Sequence, residues 1–551
     1  MLVSDVVLIA ALAVFVIVWW LARLPERGTV LLVAAFVAMA ASLWGVLDER
    51  WQAAVGGVVA LVCLLAMFIA RGRTRGVPFV SGTLLALLSV CAGLVLYMFP
   101  VTALPKPGGP EAVGVRTFEL DDPSRPGVFS AAPDAPRRLL LRVWYPATTP
   151  AGDARPAPYF SAAEARSTAH GLGELIGFPQ LLSHLKHVRA NAYENAPLRP
   201  APGKRPVVVY GHGYMSFLGQ HTALMEELAS HGYIVYSIQH TYDASDTVFP
   251  DGDVAPMDTQ LKRRHDARRP EGMSAILGGK TLNERFGGHL LLPEQDGRMV
   301  GPSAAIWVQD RSFLLDRLAA GEVPEAIADI VAASDVSRTG QIGMSFGGST
   351  TGGFCMTDTR CAAGVNLDGL SYHLQTLNAD MPVPFLMLHS ELGRFGQPPQ
   401  SFNQFSYERF ETAGLSDHVH RFQIRDALHM GFSDFTVFVR PPLGQMFLGK
   451  VPPHTMIGLQ KDMVRTFFDR YVRGERNGFP EQVRAAHGDW LVPLDNSNVR
   501  HWWLARAPEE RTDMEARIAV LRGAGKVMSA GTRAVPSVRP VTGTRPRPRA
   551  D

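Results

Sequence analysis

Gly343-Met344-Ser345-Phe346-Gly347 fits the Gly-x-Ser-x-Gly pattern of a nucleophile elbow, the strand-to-helix turn that lifts a serine above the edge of a sheet. Thr339-Gly340-Gln341-Ile342 reads as the strand entering the turn, and Phe346 to Met356, rich in small residues, as the helix leaving it. The two glycines let neighbouring backbone approach without a Cβ in the way. The pentapeptide alone also fits an ordinary Gly/Ser turn, so the flanking chain decides.

Outward from the elbow, apolar strands alternate with helices. Val207-Val208-Val209-Tyr210 is a buried strand ending in Gly211-His212-Gly213, followed by a helix from about Gln220 to His231 and a strand from Tyr233 to Ile238. A helix from about Ala304 to Ala320 leads to the elbow. Beyond it come strands at Ala362–Leu367, Phe385–His389 and His420–Ile424, then a helix around Thr455–Arg473. Upstream, Gly114–Leu120 and Arg138–Tyr145 read as two further strands. Such alternation predicts an α/β fold, a mostly parallel sheet with helices on both faces, and places its chemistry at the carboxyl ends of the strands. Residues 241–302, irregular, charged and glycine-rich, read as an insertion of the length used for lids and binding loops.

A serine hydroxyl needs a base to become a nucleophile. Among 17 histidines, His429 follows the last parallel strand and comes after the serine, matching the chain order Ser, acid, His of α/β-hydrolases. Asp368 and Glu391 each follow a strand and compete as the acid, whereas Asp426 is too near His429 along the chain. Position does not separate the first two. Oxyanion donors are expected from the amide after the nucleophile, Phe346, and from Tyr214 after the His-Gly turn. Trp307, Phe313 and Phe432 are candidates for an apolar pocket lining.

The chain has 551 residues and a formal net charge of +3, too small to point to a nucleic-acid partner. Val6–Ala22, Thr29–Leu47, Ala53–Ala70 and Phe79–Phe99 approach the roughly 20 apolar residues that span a bilayer. None contains an ionisable Asp, Glu, Lys, Arg or His, which predicts an anchor at 1–100 and no ion path. Arg23 and Arg27 in the first loop, and Arg71, Arg73 and Arg75 in the third, place those loops in the cytoplasm and everything after Pro100 outside. The expected organisation continues with a linker at 101–113, a catalytic domain at 114–520 and a disordered basic tail at 521–551. Of four cysteines, Cys63 and Cys91 fall in predicted spans. Cys355 and Cys361 flank the connection after the elbow helix, as a disulfide or as two buried thiols. No Cys/His spacing suggests zinc, and no cofactor is implied.

The outer region resembles the platelet-activating factor acetylhydrolase family of α/β-hydrolases. The resemblance rests on Leu141-Arg142-Val143-Trp144-Tyr145-Pro146, Gly211-His212-Gly213-Tyr214, the stretch Leu228 to Val235, the elbow through Gly348, Asn366-Leu367-Asp368-Gly369, and His429 to Phe435. It runs with gaps from about Gly114 to Arg473 and omits the four spans and much of 241–302. It implies Ser345 as nucleophile, His429 as base, Asp368 as acid because that family's carboxylate follows the strand after the elbow helix, and Tyr214 and Phe346 as oxyanion donors. The expected function is a membrane-anchored hydrolase of lipidic or small esters, its partners being substrate and bilayer. An acyltransferase with the same residues and a non-catalytic membrane scaffold are the alternatives.

Overall fold

The computed structural model describes residues 1–530 except 22–23, 71–77, 128, 130–134, 150–154, 258–270, 296 and 392–399. Six strands form the parallel centre of one sheet: β4 (Arg205–Gly211), β5 (Ile234–Gln239), β8 (Ser334–Met344), β9 (Cys361–Leu367), β10 (Phe385–His389) and β11 (Val419–Ile424). They lie in the order β11-β10-β9-β8-β4-β5. The hairpin of β1 (Ala112–Pro126) and β2 (Pro136–Ala147) extends one side antiparallel through β2–β5, with β3 (Tyr193–Glu194) outermost. On the other side β12 (Leu491–Pro493) pairs antiparallel with β11. A small hairpin, β6 (Thr247–Val248) with β7 (Val254–Ala255), stands apart.

Val207–Tyr210 of β4 and Phe385–Leu388 of β10 are unbroken apolar runs because both faces of the sheet are covered. Val208 and Tyr210 point to one side, against Leu224 and Leu228 of helix Thr222–Ser230 and Met463 and Phe467 of helix Pro453–Tyr471. Val207 and Val209 point to the other, against Leu314 and Leu318 of helix Ala304–Ala320. Each such fully buried side chain contributes about 1.5–3 kcal/mol of transfer free energy. Gly211 aligns with Gly343, and Met344 with Leu367, so β4, β8 and β9 end at one level.

Ahead of the sheet, α1 (Val3–Trp20), α2 (Arg27–Leu47), α3 (Gln52–Ala70) and α4 (Pro78–Met98) are four helices long and apolar enough to cross a membrane. Small residues let them approach: a Cβ on Gly56 would lie 2.5 Å from Leu8 Cδ2. The first helix starts earlier than expected and carries Asp5, whose carboxylate meets buried Arg50 at 3.3 Å. Arg50 also donates to the carbonyls of Phe99 (2.7 Å) and Leu96 (3.1 Å), so it ties the loop between α2 and α3 to α1 and the end of α4 instead of facing water. Arg23, Arg71, Arg73 and Arg75, which set the expected orientation, lie outside the described residues.

Among the described residues, the bundle meets the sheet domain through the α2–α3 connection and through the end of α4. In the loop between α2 and α3, Trp51 Nε1 donates to the Leu181 carbonyl (3.1 Å), Gln52 Nε2 to His184 Nδ1 (3.3 Å), and the Glu49 carbonyl accepts from Ser183 Oγ (2.8 Å). At the end of α4, the Arg440 N–H donates to the Met98 carbonyl (2.9 Å) while its guanidinium covers the Tyr97 ring at 4.1 Å.

Within 241–302 the chain forms the β6–β7 hairpin and helices Glu271–Gly278 and Leu282–Gln295. Cys355 and Cys361 are disulfide-bonded, while Cys63 and Cys91 are free thiols. The expected disordered tail begins too early. A helix runs from Pro508 to Ala530, and Arg522 docks by donating to the Leu377 and Asn378 carbonyls. Residues 531–551 lie outside the described residues.

Candidate active site

Ser345 sits between β8 and helix Phe346–Cys355 with φ 55° and ψ −120°, a left-handed-side backbone that a non-glycine residue adopts only when its surroundings enforce it. Close packing enforces it here. A Cβ on Gly343 would lie 2.2 Å from the Gly347 carbonyl, and one on Gly347 would lie 2.1 Å from the Gly211 carbonyl oxygen. The Ser345 N–H donates to the Leu367 carbonyl (2.8 Å), which pins the turn to the end of β9.

His429 arrives from the loop after β11. Its Nε2 lies 3.0 Å from Ser345 Oγ, and its Nδ1 lies 2.6 Å from Asp368 Oδ2. Asp368 is buried at the end of β9, and its Oδ1 accepts the Ser390 N–H at 2.6 Å. The His429 side chain remains 47% exposed, so the Ser345–His429 pair opens toward solvent. Glu391, the competing carboxylate, is turned away: its Oε2 accepts the Asp426 N–H.

Tyr214 and Phe346, the expected oxyanion donors, stand side by side with ring centroids 5.4 Å apart. Phe346 opens its helix, so its N–H has no acceptor within that helix. The turn carrying Tyr214 closes on the elbow, since a Cβ on Gly213 would lie 3.4 Å from Ser345 Cβ. Trp307 packs edge-on to Phe346 (4.9 Å) within a cluster that includes Ile276 and Leu292 from the 241–302 segment. The other two expected pocket residues are elsewhere. Phe432 is wholly buried in the core on one face of the sheet, and Phe313 packs on the opposite face beneath Arg125.

Apart from His212 of the His-Gly turn, the polar side chains packed around the elbow carry no sequence signal. Arg311 is fully buried and donates to the carbonyls of Val209 (3.2 Å), Ile342 (3.2 Å) and Gly347 (3.3 Å) and to Thr351 Oγ1 (3.1 Å). Burial pulls its pKa down to about 9. His212 Nδ1–H donates to the Gly213 carbonyl (2.7 Å), and its Nε2 accepts the His240 N–H (3.2 Å). Burial and the adjacent His240 hold His212 far below the usual histidine range, so it stays a neutral ring of fixed tautomer. His240 in turn meets Asp310 at 2.8 Å and stacks on Trp307 at 3.8 Å. Burial opposes ionisation of Asp310, but the charges of Arg137 and Arg125 overcome it and hold the carboxyl below its ordinary range.

A serine on a strained elbow, at the carboxyl edge of a parallel sheet covered on both faces, defines an α/β-hydrolase, and its relatives place it among those acting on carboxylic esters. The ferulic acid esterase from Streptomyces cinnamoneus shares this fold at a TM-score of 0.54 and 25% identity, covering 72% of this chain and 100% of the esterase. The chain belongs to the family described as platelet-activating factor acetylhydrolase, isoform II, which matches residues 98–261 and 326–474. Platelet-activating factor acetylhydrolase of Cavia porcellus is 24% identical over 407 residues, covering 70% of this chain and 81% of the relative. That of Canis lupus familiaris is 24% identical over 365 residues, covering 63% and 76%. The match takes in Tyr214, Ser345, Asp368 and His429, and skips 262–325, the stretch holding both helices of the expected insertion.

Proposed function

We propose that this hydrolase is anchored in a membrane, works outside the cytoplasm, and cleaves lipidic esters through Ser345, His429 and Asp368. Ser345 Oγ attacks the ester carbonyl carbon as its proton passes to His429 Nε2. The carbonyl electron pair moves onto oxygen, where the N–H groups of Tyr214 and Phe346 receive it. Collapse expels the alcohol with the proton from His429, leaving an acyl-serine. Water then loses a proton to His429, attacks the acyl carbon, and the acid leaves as Ser345 regains its proton. Asp368 holds the imidazole in the tautomer with Nδ1–H and stabilises the imidazolium. The observation that carries this reading is the continuous hydrogen-bonded chain Asp368–His429–Ser345 on an elbow serine.

Anchoring is supported by the four apolar helices and by apolar groups at the mouth. Met430 follows the base directly, and the neighbouring Met446 and Phe447 are 69% and 59% exposed. They lie on the segment that Arg440 ties to the end of α4. A substrate with acyl chains suits such a rim. The Cys355–Cys361 disulfide suits an oxidising compartment, in keeping with the outer placement.

A fluorophosphonate reagent tests the nucleophile: it is expected to label the wild-type chain and not Ser345→Ala, and equal labelling of both overturns the assignment. A membrane-impermeant version on intact cells tests sidedness, where labelling only after permeabilisation overturns the outer placement. Met446→Ser with Phe447→Ser is expected to cut turnover of a liposome-embedded ester by at least about ten-fold, since burying even one such apolar side chain in lipid contributes about 1.5–3 kcal/mol. Turnover of soluble p-nitrophenyl acetate should not change. Equal loss on both substrates refutes a lipid-facing mouth.

A further inference from the structure

Gln220 is 3% exposed and reaches three separate parts of the site. Its Oε1 accepts the Gly213 N–H at 2.8 Å, one residue before the oxyanion donor Tyr214. Its Nε2 donates to the sulfur of Met344 at 3.4 Å, one residue before the nucleophile. Its backbone carbonyl accepts the Asp434 N–H at 3.1 Å, on the loop that delivers His429. Tyr210, at the end of the strand feeding the oxyanion turn, adds its hydroxyl to the same Oε1 at 3.4 Å.

We infer that Gln220 is a positioning residue that sets the oxyanion turn against the nucleophile and base, an inference that rests on the assignment of Ser345 as nucleophile. The Tyr214 N–H belongs to the peptide plane whose carbonyl, that of Gly213, is already held by His212 Nδ1 (2.7 Å) and the Ser216 N–H (2.9 Å). Gln220 holds the preceding plane through the Gly213 N–H. With both planes fixed, the Tyr214 amide has one direction. Gly213 also packs against Met344 Sδ and Ser345 Cβ, where an added Cβ would lie at 3.2 and 3.4 Å, so a shift of the turn moves it directly over the nucleophile. An oxyanion donor acts fully only when it is aimed at the developing charge, and a displacement of about 1 Å costs about 10²-fold in rate.

The test uses the full-length protein in detergent with p-nitrophenyl acetate, measuring kcat and KM separately. Gln220→Asn leaves an amide that stops short of Gly213. It is expected to lower kcat about 10²-fold with KM held within about two-fold, because the loss falls on the transition state. Gln220→Glu keeps the acceptor and is expected to recover at least about ten-fold of that loss. Should Gln220→Asn not fold, Gln220→Met fills a similar volume without an acceptor and carries the same expectation. A folded Asn or Met variant with wild-type kcat, or a Glu variant no better than Asn, overturns the inference. Ser345→Ala is assayed alongside. If it retains turnover, the nucleophile assignment fails; if it is inactive while Gln220→Asn is fully active, only the role of Gln220 fails.

Discussion

Asp368→Asn probes the proposed triad at the point where its hydrogen bonds leave least freedom. Asp368 Oδ1 takes the Ser390 N–H and Oδ2 faces His429 Nδ1, both at 2.6 Å. In the variant, the buried Ser390 N–H still needs an acceptor, so the amide oxygen turns toward it and the amide NH2 faces His429. The imidazole must then present a lone pair at Nδ1 and carry its proton on Nε2. That nitrogen now donates to Ser345 Oγ and no longer takes its proton. The ring is in place but in the wrong tautomer, which costs about 10⁴-fold in kcat, or about 5.5 kcal/mol of barrier. Glu391→Gln is the matched control, because its amide oxygen can still accept the Asp426 N–H, and its kcat should stay within about three-fold of wild type. The assay is kcat for a chromogenic ester near neutral pH, with the unfolding midpoint of each variant recorded. A folded Asp368→Asn protein keeping more than about a tenth of wild-type activity, or a larger loss in Glu391→Gln, refutes the reasoning.

Burial lowers the pKa values of His221, His289 and His373 to about 4, whereas an unfolded histidine titrates at about 6.5. Below about pH 6.5 the unfolded chain therefore binds protons that the folded chain refuses, so their contribution to stability is present above that pH and is lost on acidification. Each should cost about 2 kcal/mol between pH 7 and 5, read as a falling thermal midpoint, and a midpoint that is flat or rises over that range contradicts it. Replacing Cys355 and Cys361 together by serine removes a short covalent loop after the elbow helix and should lower stability by about 2 kcal/mol. An unchanged midpoint under the same conditions would contradict that estimate.

The elbow was legible because its constraint is local: Gly343 and Gly347 are required by backbone contacts of about one helical turn and by the adjacent strand. The buried strands were legible because a sheet covered on both faces leaves continuous apolar runs, as at Val207–Tyr210. Helix Ala304–Ala320 occupies the span expected for it. The candidate acid was not separable by position, since Asp368 and Glu391 both follow neighbouring parallel strands. Family resemblance favoured Asp368, and only that carboxylate meets His429 in the structure. Gln220 left no trace in sequence because its partners, Gly213, Met344 and Asp434, are brought together by tertiary packing. Arg311, next to Asp310 on a helix, reads as a solvated charge, yet it fills the space under the elbow. Asp5 and Arg50 were hidden for a related reason: charges flanking apolar segments read as loop residues, whereas here they neutralise each other inside the bundle end.

The two seams between bundle and sheet domain have a geometric consequence. A domain held only by the Pro/Gly linker after α4 would swivel and present its mouth at any height and angle. Each seam is a patch of several contacts, Glu49, Trp51 and Gln52 with Ser183, Leu181 and His184, and Tyr97–Met98 with Arg440, so a swivel about the linker would have to break both. On the proposed anchoring, Ser345 is thereby carried at a set depth relative to the bilayer. The enzyme then acts as a ruler, selecting esters by how far their carbonyl lies from the membrane surface as well as by what surrounds it.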